Sequence, residues 1–279
     1  YLDLISIKEI DISKGLWFGE FELDLIAPVE NAFKYINFHN NSPLDNLWDV
    51  KKVSEFEIDS KFQSKFRIHA SFDFIPNASD YPFDIQDINI EFSLEESIKD
   101  GILQPTPLGY VDTDFKVEGW NIVSSIGGIN RKKVFERRGA NLETYSVQRK
   151  SVINEWKMKR KAGLAAVKSF IPLYILLFLS WYGSFLDIGE ATTAVSLNAT
   201  VFLAGIALYF SADRPETNVL TLIDKVFILF YASIALLIAS EFTIFISENF
   251  YNVSHFFWQI SIPFLASVSI FYVYKKIYK

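Results

Sequence analysis

Residues 170–210 read FIPLYILLFLSWYGSFLDIGEATTAVSLNATVFLAGIALYF. Two long apolar runs, 170–186 and 191–210, are parted only by Asp187-Ile188-Gly189-Glu190. Each is close to the roughly 20 residues that carry a helix across a bilayer core. Two more such runs follow, 226–246 and 256–274, after the connections 211–222 and 247–255. Extended to their polar ends, the four helices are expected over about residues 165–186, 191–211, 220–248 and 254–276. Pro172 lies near the start of the first, where a helix tolerates a missing N–H best. Four closely connected spans make a compact transmembrane four-helix bundle with both chain ends on one side.

The sequence before this region has a different period. In residues 17–26, Trp17, Phe21, Leu23 and Leu25 alternate with Phe18, Glu20, Glu22 and Asp24. In residues 65–74, Phe66, Ile68, Ala70, Phe72 and Phe74 alternate with Lys65, Arg67, His69, Ser71 and Asp73. In residues 88–95, Ile88, Ile90, Phe92 and Leu94 alternate with Asn89, Glu91, Ser93 and Glu95. A period of two means one packed face and one wet face. Several such runs split by Asn, Pro and Gly imply an antiparallel β-sandwich over residues 1–160, followed by a helical domain over 161–279.

Charge divides at the same place. Of 33 acids, 7 follow Arg160, leaving 26 before it; of 27 bases, 7 follow it, leaving 20 before it, so the first domain holds the whole net charge of −6. Such an acidic domain disfavours nucleic acid and attracts cations. There is no cysteine, which removes disulfides and thiolate chemistry. The chain opens at Tyr1 in strand-like sequence without a Met or a leader, so processing or further upstream sequence is expected. Lys157, Lys159, Arg160, Lys161 and Lys168 precede the first span, and Lys275, Lys276 and Lys279 follow the last. Loop charge alone would put both ends in the cytoplasm.

Several motifs have a common order. Tyr81-Pro82-Phe83-Asp84-Ile85-Gln86 lies in the β domain. Arg160 stands twelve residues before Pro172, Ser180-Trp181 lies within the first span, Glu190 opens the second and Pro215 follows it. Glu241 lies in the third span. Together they resemble the pentameric ligand-gated ion channels, the Cys-loop receptor superfamily, in the bacterial form that lacks the cysteines. Phe74 and Ile88 stand where the animal receptors have the cysteine pair. Tyr81–Gln86 resembles the family's aromatic-Pro-Phe-Asp-x-Gln loop. Arg160 is similar to the basic residue above the first span, Glu190 to the acid at the mouth of cation-selective pores, and Pro215 to the proline after the pore helix. Glu241 is similar to an acid in the third span of some bacterial members. The β domain is short for the family, and residues 31–62 and 135–145 lack the aromatic pattern of a neurotransmitter pocket.

The resemblance implies an immunoglobulin-like extracellular sandwich above the four-helix bundle, in a homopentamer with four further copies of the chain. It implies a multi-pass protein of the bacterial inner membrane, with the β domain periplasmic. Exported domains often override loop charge, so this orientation is preferred. It also implies a cation-permeable channel opened by an unknown small ligand or ion, with no cofactor.

At about 100° per residue, Glu190, Ala194, Asn198, Val201, Gly205 and Leu208 fall on one face of the second span at 4-4-3-4-3 spacing. This is also the face that the resemblance gives to the pore. It would supply an acidic mouth, a polar ring at Asn198, and apolar collars at Val201 and Leu208 that gate by dewetting. Thr193, Ser196 and Thr200 form a second stripe on the opposite side. It lines the pore if the register differs; otherwise its hydroxyls bond to their own helix or a neighbouring one. Glu190 also reads as a solvated acid at a helix N-terminus. Glu241 reads either as a functional acid within a span or as a hydrogen bond between helices.

Coupling between the halves is expected at Asp11 and its turn, at Tyr81, Pro82, Phe83 and Asp84, at Arg160, and in the 211–219 loop with Pro215. Arg160 could pair with Asp84 or Asp11, or simply flank the membrane. Trp120, Phe135 and Tyr145 lie where the resemblance places parts of an agonist site; they read equally as core. Asp112, Asp114 and Glu118 could hold a modulating Ca²⁺ or form a solvated acidic loop. His39, His69 and His255 are far apart, and no phosphate loop or G-x-S-x-G occurs, so no enzyme is expected. The alternative function is a membrane-anchored β-domain sensor that signals to a partner without conducting.

Overall fold

The computed structural model describes residues 1–279 except 43–48, 96–102, 105–116, 139–143, 213, 217, 246 and 278–279. The chain forms two compact units, Tyr1–Asn77 with Ile85–Arg160 and Ala78–Asp84 with Lys161–Lys279.

The first unit contains β1 (Leu2–Asp11), β2 (Leu16–Ala27), β3 (Ile36–Phe38), β4 (Asp49–Ile58), β5 (Lys61–Asp73), β6 (Ile85–Leu94), β7 (Trp120–Arg138) and β8 (Thr144–Arg160). They make two four-stranded sheets, β1-β2-β5-β4 and β3-β6-β8-β7. Every neighbouring pair is antiparallel. The alternation sets which side chains go inward. Trp17, Phe21 and Leu23 are buried and lie opposite Phe72, Ile68 and Phe66 across the β2–β5 ladder. On the other sheet Ile88, Ile90 and Phe92 are buried opposite Trp156, Asn154 and Val152. The two faces meet in one aromatic core, with Trp17 5.1 Å from Phe72 and 6.2 Å from Trp156 between ring centroids. Gly19 faces the same way, and a Cβ there would lie 2.4 Å from the Trp17 ring, so only glycine leaves the indole its place.

Cross-strand charge pairs fasten the wet face. Glu22 lies opposite Arg67 and accepts from its Nη2 at 2.7 Å and from Lys65 Nζ at 3.1 Å. Burial alone would raise the Glu22 pKa; the hydrogen bonds from Arg67 and Lys65 outweigh it and hold the carboxylate below its ordinary range. Glu55 accepts from Lys52, from Ser64 Oγ at 2.6 Å and from Asn31 N–H at 3.0 Å. These bonds, Lys52 first, bring its pKa from 4.5 down to about 2.

The second unit contains α1 (Gly163–Gly183), α2 (Ala191–Ser211), α3 (Leu222–Glu241) and α4 (Glu248–Ile277). All four are long and apolar enough to cross a membrane. Their exposed side chains include Phe178, Ile228, Phe264 and Phe271, a surface suited to hydrocarbon rather than water. The expected third and fourth helices, 220–248 and 254–276, are placed differently. Thr221 caps α3, which ends at Glu241 in a short 3₁₀ turn, Phe242–Phe245. Ser247 Oγ then accepts the Phe250 N–H at 3.1 Å, so α4 starts at Glu248, well before its apolar stretch.

Candidate functional site

The excursion Ala78–Asp84 leaves the strands and belongs to the helical unit. Its base is closed by the buried Gln86 side chain. The Asn77 N–H donates to Gln86 Oε1 at 2.9 Å, and Gln86 Nε2 donates to the Asn77 carbonyl at 2.8 Å. This gives a physical reason for a Gln at the end of the motif. The Tyr81–Pro82 peptide is cis, and Tyr81 and Phe83 are buried in the helical core. The Phe83 ring lies parallel to that of Phe170, 6.4 Å away. Asp80 accepts from Lys276 at the end of α4 at 2.6 Å. Asp84 is 1% exposed and part of this unit, whereas Asp11 and Arg160 belong to the β unit. Asp11 accepts from the Lys14 N–H at 3.1 Å, and the Arg160 guanidinium lies over the Trp120 ring at 4.2 Å.

α2 packs between α1 and α3. Ala194 and Asn198 are 0% exposed, Val201 is 3% exposed and Gly205 is buried. Ser180 Oγ of α1 donates to Asn198 Oδ1. On the α3 side, Tyr231 OH donates to the Gly205 carbonyl at 2.9 Å, and a Cβ at Gly205 would fall 2.4 Å from the Phe230 ring. Leu208 is partly buried against the same core. Ala194, Asn198, Val201 and Gly205, expected to line a pore, are thus packed against the chain's own helices. Small residues there serve close helix approach.

The open face of α2 carries Thr193, Ser196, Thr200, Leu203, Ala207 and Phe210, with Leu203 66% and Phe210 78% exposed. Ser196 Oγ donates to the Thr192 carbonyl at 2.9 Å and Thr200 Oγ1 to the Ser196 carbonyl at 2.8 Å, so these hydroxyls are satisfied within the helix. Glu190 is exposed at the N-cap position of α2 and its side chain makes no capping bond. Glu241 is 1% exposed and ties α3 to α4: its Oε2 accepts from Tyr251 OH at 3.3 Å and lies 3.1 Å from His255 Nε2.

A cluster missing from the sequence reading fixes the connection after α2. Arg214 Nη1 donates to Asp224 Oδ1 at 2.5 Å while its guanidinium lies 3.8 Å from the Tyr209 ring centroid. Tyr209 OH donates to the same oxygen at 3.1 Å. Asp224 Oδ2 accepts from the Thr221 N–H and Oγ1, both at 2.8 Å, and the Asp224 N–H donates back to Thr221 Oγ1. Thr221-Leu222-Ile223-Asp224 is a capping box, a signal present in the sequence. Pro215 is half-buried in this connection.

The expected ligand residues are not gathered. Trp120 pairs with Arg160 at one end of the β7–β8 hairpin, while Phe135 pairs with Val147 and Tyr145 with Arg137 near the other. Trp120 and Phe135 are fifteen residues apart on one strand, about 50 Å at ~3.3 Å per residue. Asp112 and Asp114 lie outside the described residues, and Glu118 is exposed. No group of three or more acids or histidines able to hold a metal occurs among the described residues. Compared with known proteins, the chain matches no family model and no curated sequence.

Proposed function

We propose that the chain is one subunit of a homopentameric, cation-permeable, ligand-gated channel of the bacterial inner membrane, with an immunoglobulin-like β unit on the periplasmic side. The observation that carries this reading is α2. It is one of four apolar spans, its inner face is packed by its own chain, and its outer face bears a hydroxyl stripe followed by Leu203, Ala207 and Phe210. A narrow hydroxyl stripe suits contact with other copies and water. Repeated around an axis, Thr193, Ser196 and Thr200 would form polar rings, and Leu203 and Phe210 apolar collars that exclude water when closed. Glu190, exposed at the start of α2, would ring one mouth with acids. The Ala78–Asp84 excursion, rooted in β6 and packed in the helical core, supports transmission of ligand binding from the β unit. Single-channel recording from the reconstituted chain is the test. Conduction is expected, with a reversal potential favouring cations that moves toward anions in Glu190→Lys. A chain that stays silent under every ligand, or runs as a monomer in mild detergent, would sink the proposal.

A further inference from the structure

One amide interrupts the apolar inner face of the second sheet. Val152, Asn154 and Trp156 alternate inward on β8, opposite Phe92, Ile90 and Ile88. Asn154 is 6% exposed, so its polar atoms need partners close by. Its Oδ1 accepts the Gly128 N–H, in the β7 bulge between Ile126 and Ile129, at 3.0 Å. An N–H only donates, so this bond fixes which end of the amide is oxygen and which is nitrogen. Nδ2, with two hydrogens to give, meets no acceptor among the described residues. Nor is it walled in, as Trp17 Nε1 is, so it borders open space. That space is a cavity of about 350 Å³ between the sheets, with Leu2, Leu23 and Leu25 on one wall and Phe92, Val152 and Asn154 on the other.

We propose that this cavity is a binding site for a small neutral molecule with an apolar, ring-sized body and one oxygen that accepts a hydrogen bond from Asn154 Nδ2. An apolar wall with a single placed polar group is the usual build of a small-molecule site, and the volume is within the usual range. The leucines, Phe92 and Val152 supply contact area, and the amide sets the orientation. Asp24 and Lys61 also border the cavity, but on β2 and β5 they alternate outward with Glu22, Gln63 and Lys65. There Asp24 Oδ2 accepts from Gln63 Nε2 at 2.9 Å. These charges stay on the wet face. A charged guest would therefore lose its water without gaining a counter-charge, which is why the guest is neutral. A ketone, ester or ether meets the amide; a pure hydrocarbon leaves Nδ2 without a partner, and an ammonium presents it with another donor. The site lies wholly within the β unit, so its occupancy does not depend on the channel reading.

Benzophenone serves as the probe, because its ketone is both the hydrogen-bond acceptor and the photoreactive group. Under ultraviolet light the excited ketone takes a hydrogen from a nearby C–H and the two radicals join, leaving a carbinol bonded to the protein. The reconstituted full chain is irradiated with the probe, digested, and its adducts mapped by mass spectrometry. Adducts are expected on the peptides that carry Leu23, Leu25 and Val152. Any adducts on the apolar spans come from probe dissolved in lipid and serve as the internal standard. Acetophenone should suppress the β-strand adducts, whereas α-methylstyrene, of the same shape without the oxygen, and benzoate, which is charged, should suppress them far less. Asn154→Leu should weaken β-strand labelling by about tenfold relative to the spans, and Leu25→Trp, which fills the cavity from the other wall, should abolish it. Absence of β-strand adducts in the parent overturns the site. So does competition by α-methylstyrene or benzoate equal to that by acetophenone, an arm that needs no variant to fold. Adduct mapping reads occupancy without any current: a chain that never conducts leaves the site standing, and an unlabelled cavity leaves the channel reading standing.

Discussion

A cysteine placed at Thr200 should react with a charged, water-soluble thiol reagent far faster than one placed at Asn198. The two positions are half a turn apart on α2, yet Thr200 is open and Asn198 is 0% exposed. Reaching Asn198 means parting α2 from α1 and α3. The bond from Tyr231 to the Gly205 carbonyl is lost, about 1 kcal/mol, and so is the burial of Val201, about 2 kcal/mol. A local opening that costs ~3 kcal/mol is populated less than about one part in 100, so the rate at Asn198→Cys should fall by about 100-fold or more. Thiolate is the reactive form, so labelling reports contact with water rather than with lipid. The assay is the mass shift of reconstituted protein against time for Thr193→Cys, Thr200→Cys, Asn198→Cys and Val201→Cys. The parent chain offers no background thiol. Equal rates at Asn198 and Thr200, or faster labelling at Val201, would refute the packing argument and restore the Glu190–Ala194–Asn198 face to the lumen. Silence at both Thr193 and Thr200 would put the open face in lipid and favour a sensor that does not conduct.

Three further outcomes follow from the same contacts. Leu203→Ser should raise ligand-free leak current by wetting an apolar collar, whereas Val201→Ala should leave the leak low and cost about 2 kcal/mol of stability in thermal unfolding. Asp224→Asn should cost about 2 kcal/mol, because it weakens the Thr221 capping box and removes the carboxylate beside Arg214; a melting temperature unchanged from the parent would contradict this. Glu22 and Glu55 both have lowered pKa values, so their contribution to the β unit is full above the ordinary 4.5 and is lost as pH falls, for Glu55 down to about 2. Circular dichroism should therefore show acid unfolding that is shallower in Glu55→Gln, and an identical acid limb in that variant would count against it.

What the sequence revealed and what it hid divide by the range of the interactions involved. Strand alternation at Trp17, Phe21 and Leu23 and the four apolar spans are local periodicities, and each survives in the structure because burial of one face, or of every face, decides them. The helix limits at Thr221 and Ser247 were also local, written in a capping box and a serine, but the apolar content of the flanking runs masked them. The lining of α2 was not local. Ala194, Asn198, Val201 and Gly205 repeat at 4-3-4 spacing, and small or polar residues at that spacing suit a water-filled lumen and a tight helix seam equally well. What separates the two is the group across the gap. Ser180 and Tyr231, which meet Asn198 and Gly205, stand 18 and 26 residues away in the chain, and no periodicity along α2 refers to them. The same holds for Glu241, whose meaning depends on His255 fourteen residues later on another helix. An acid inside a span is costly by itself; beside His255 Nε2 and the Tyr251 hydroxyl it becomes a polar tie between α3 and α4. The chemistry of this chain thus lies less in the residue types along α2 and α3 than in which helix each one faces.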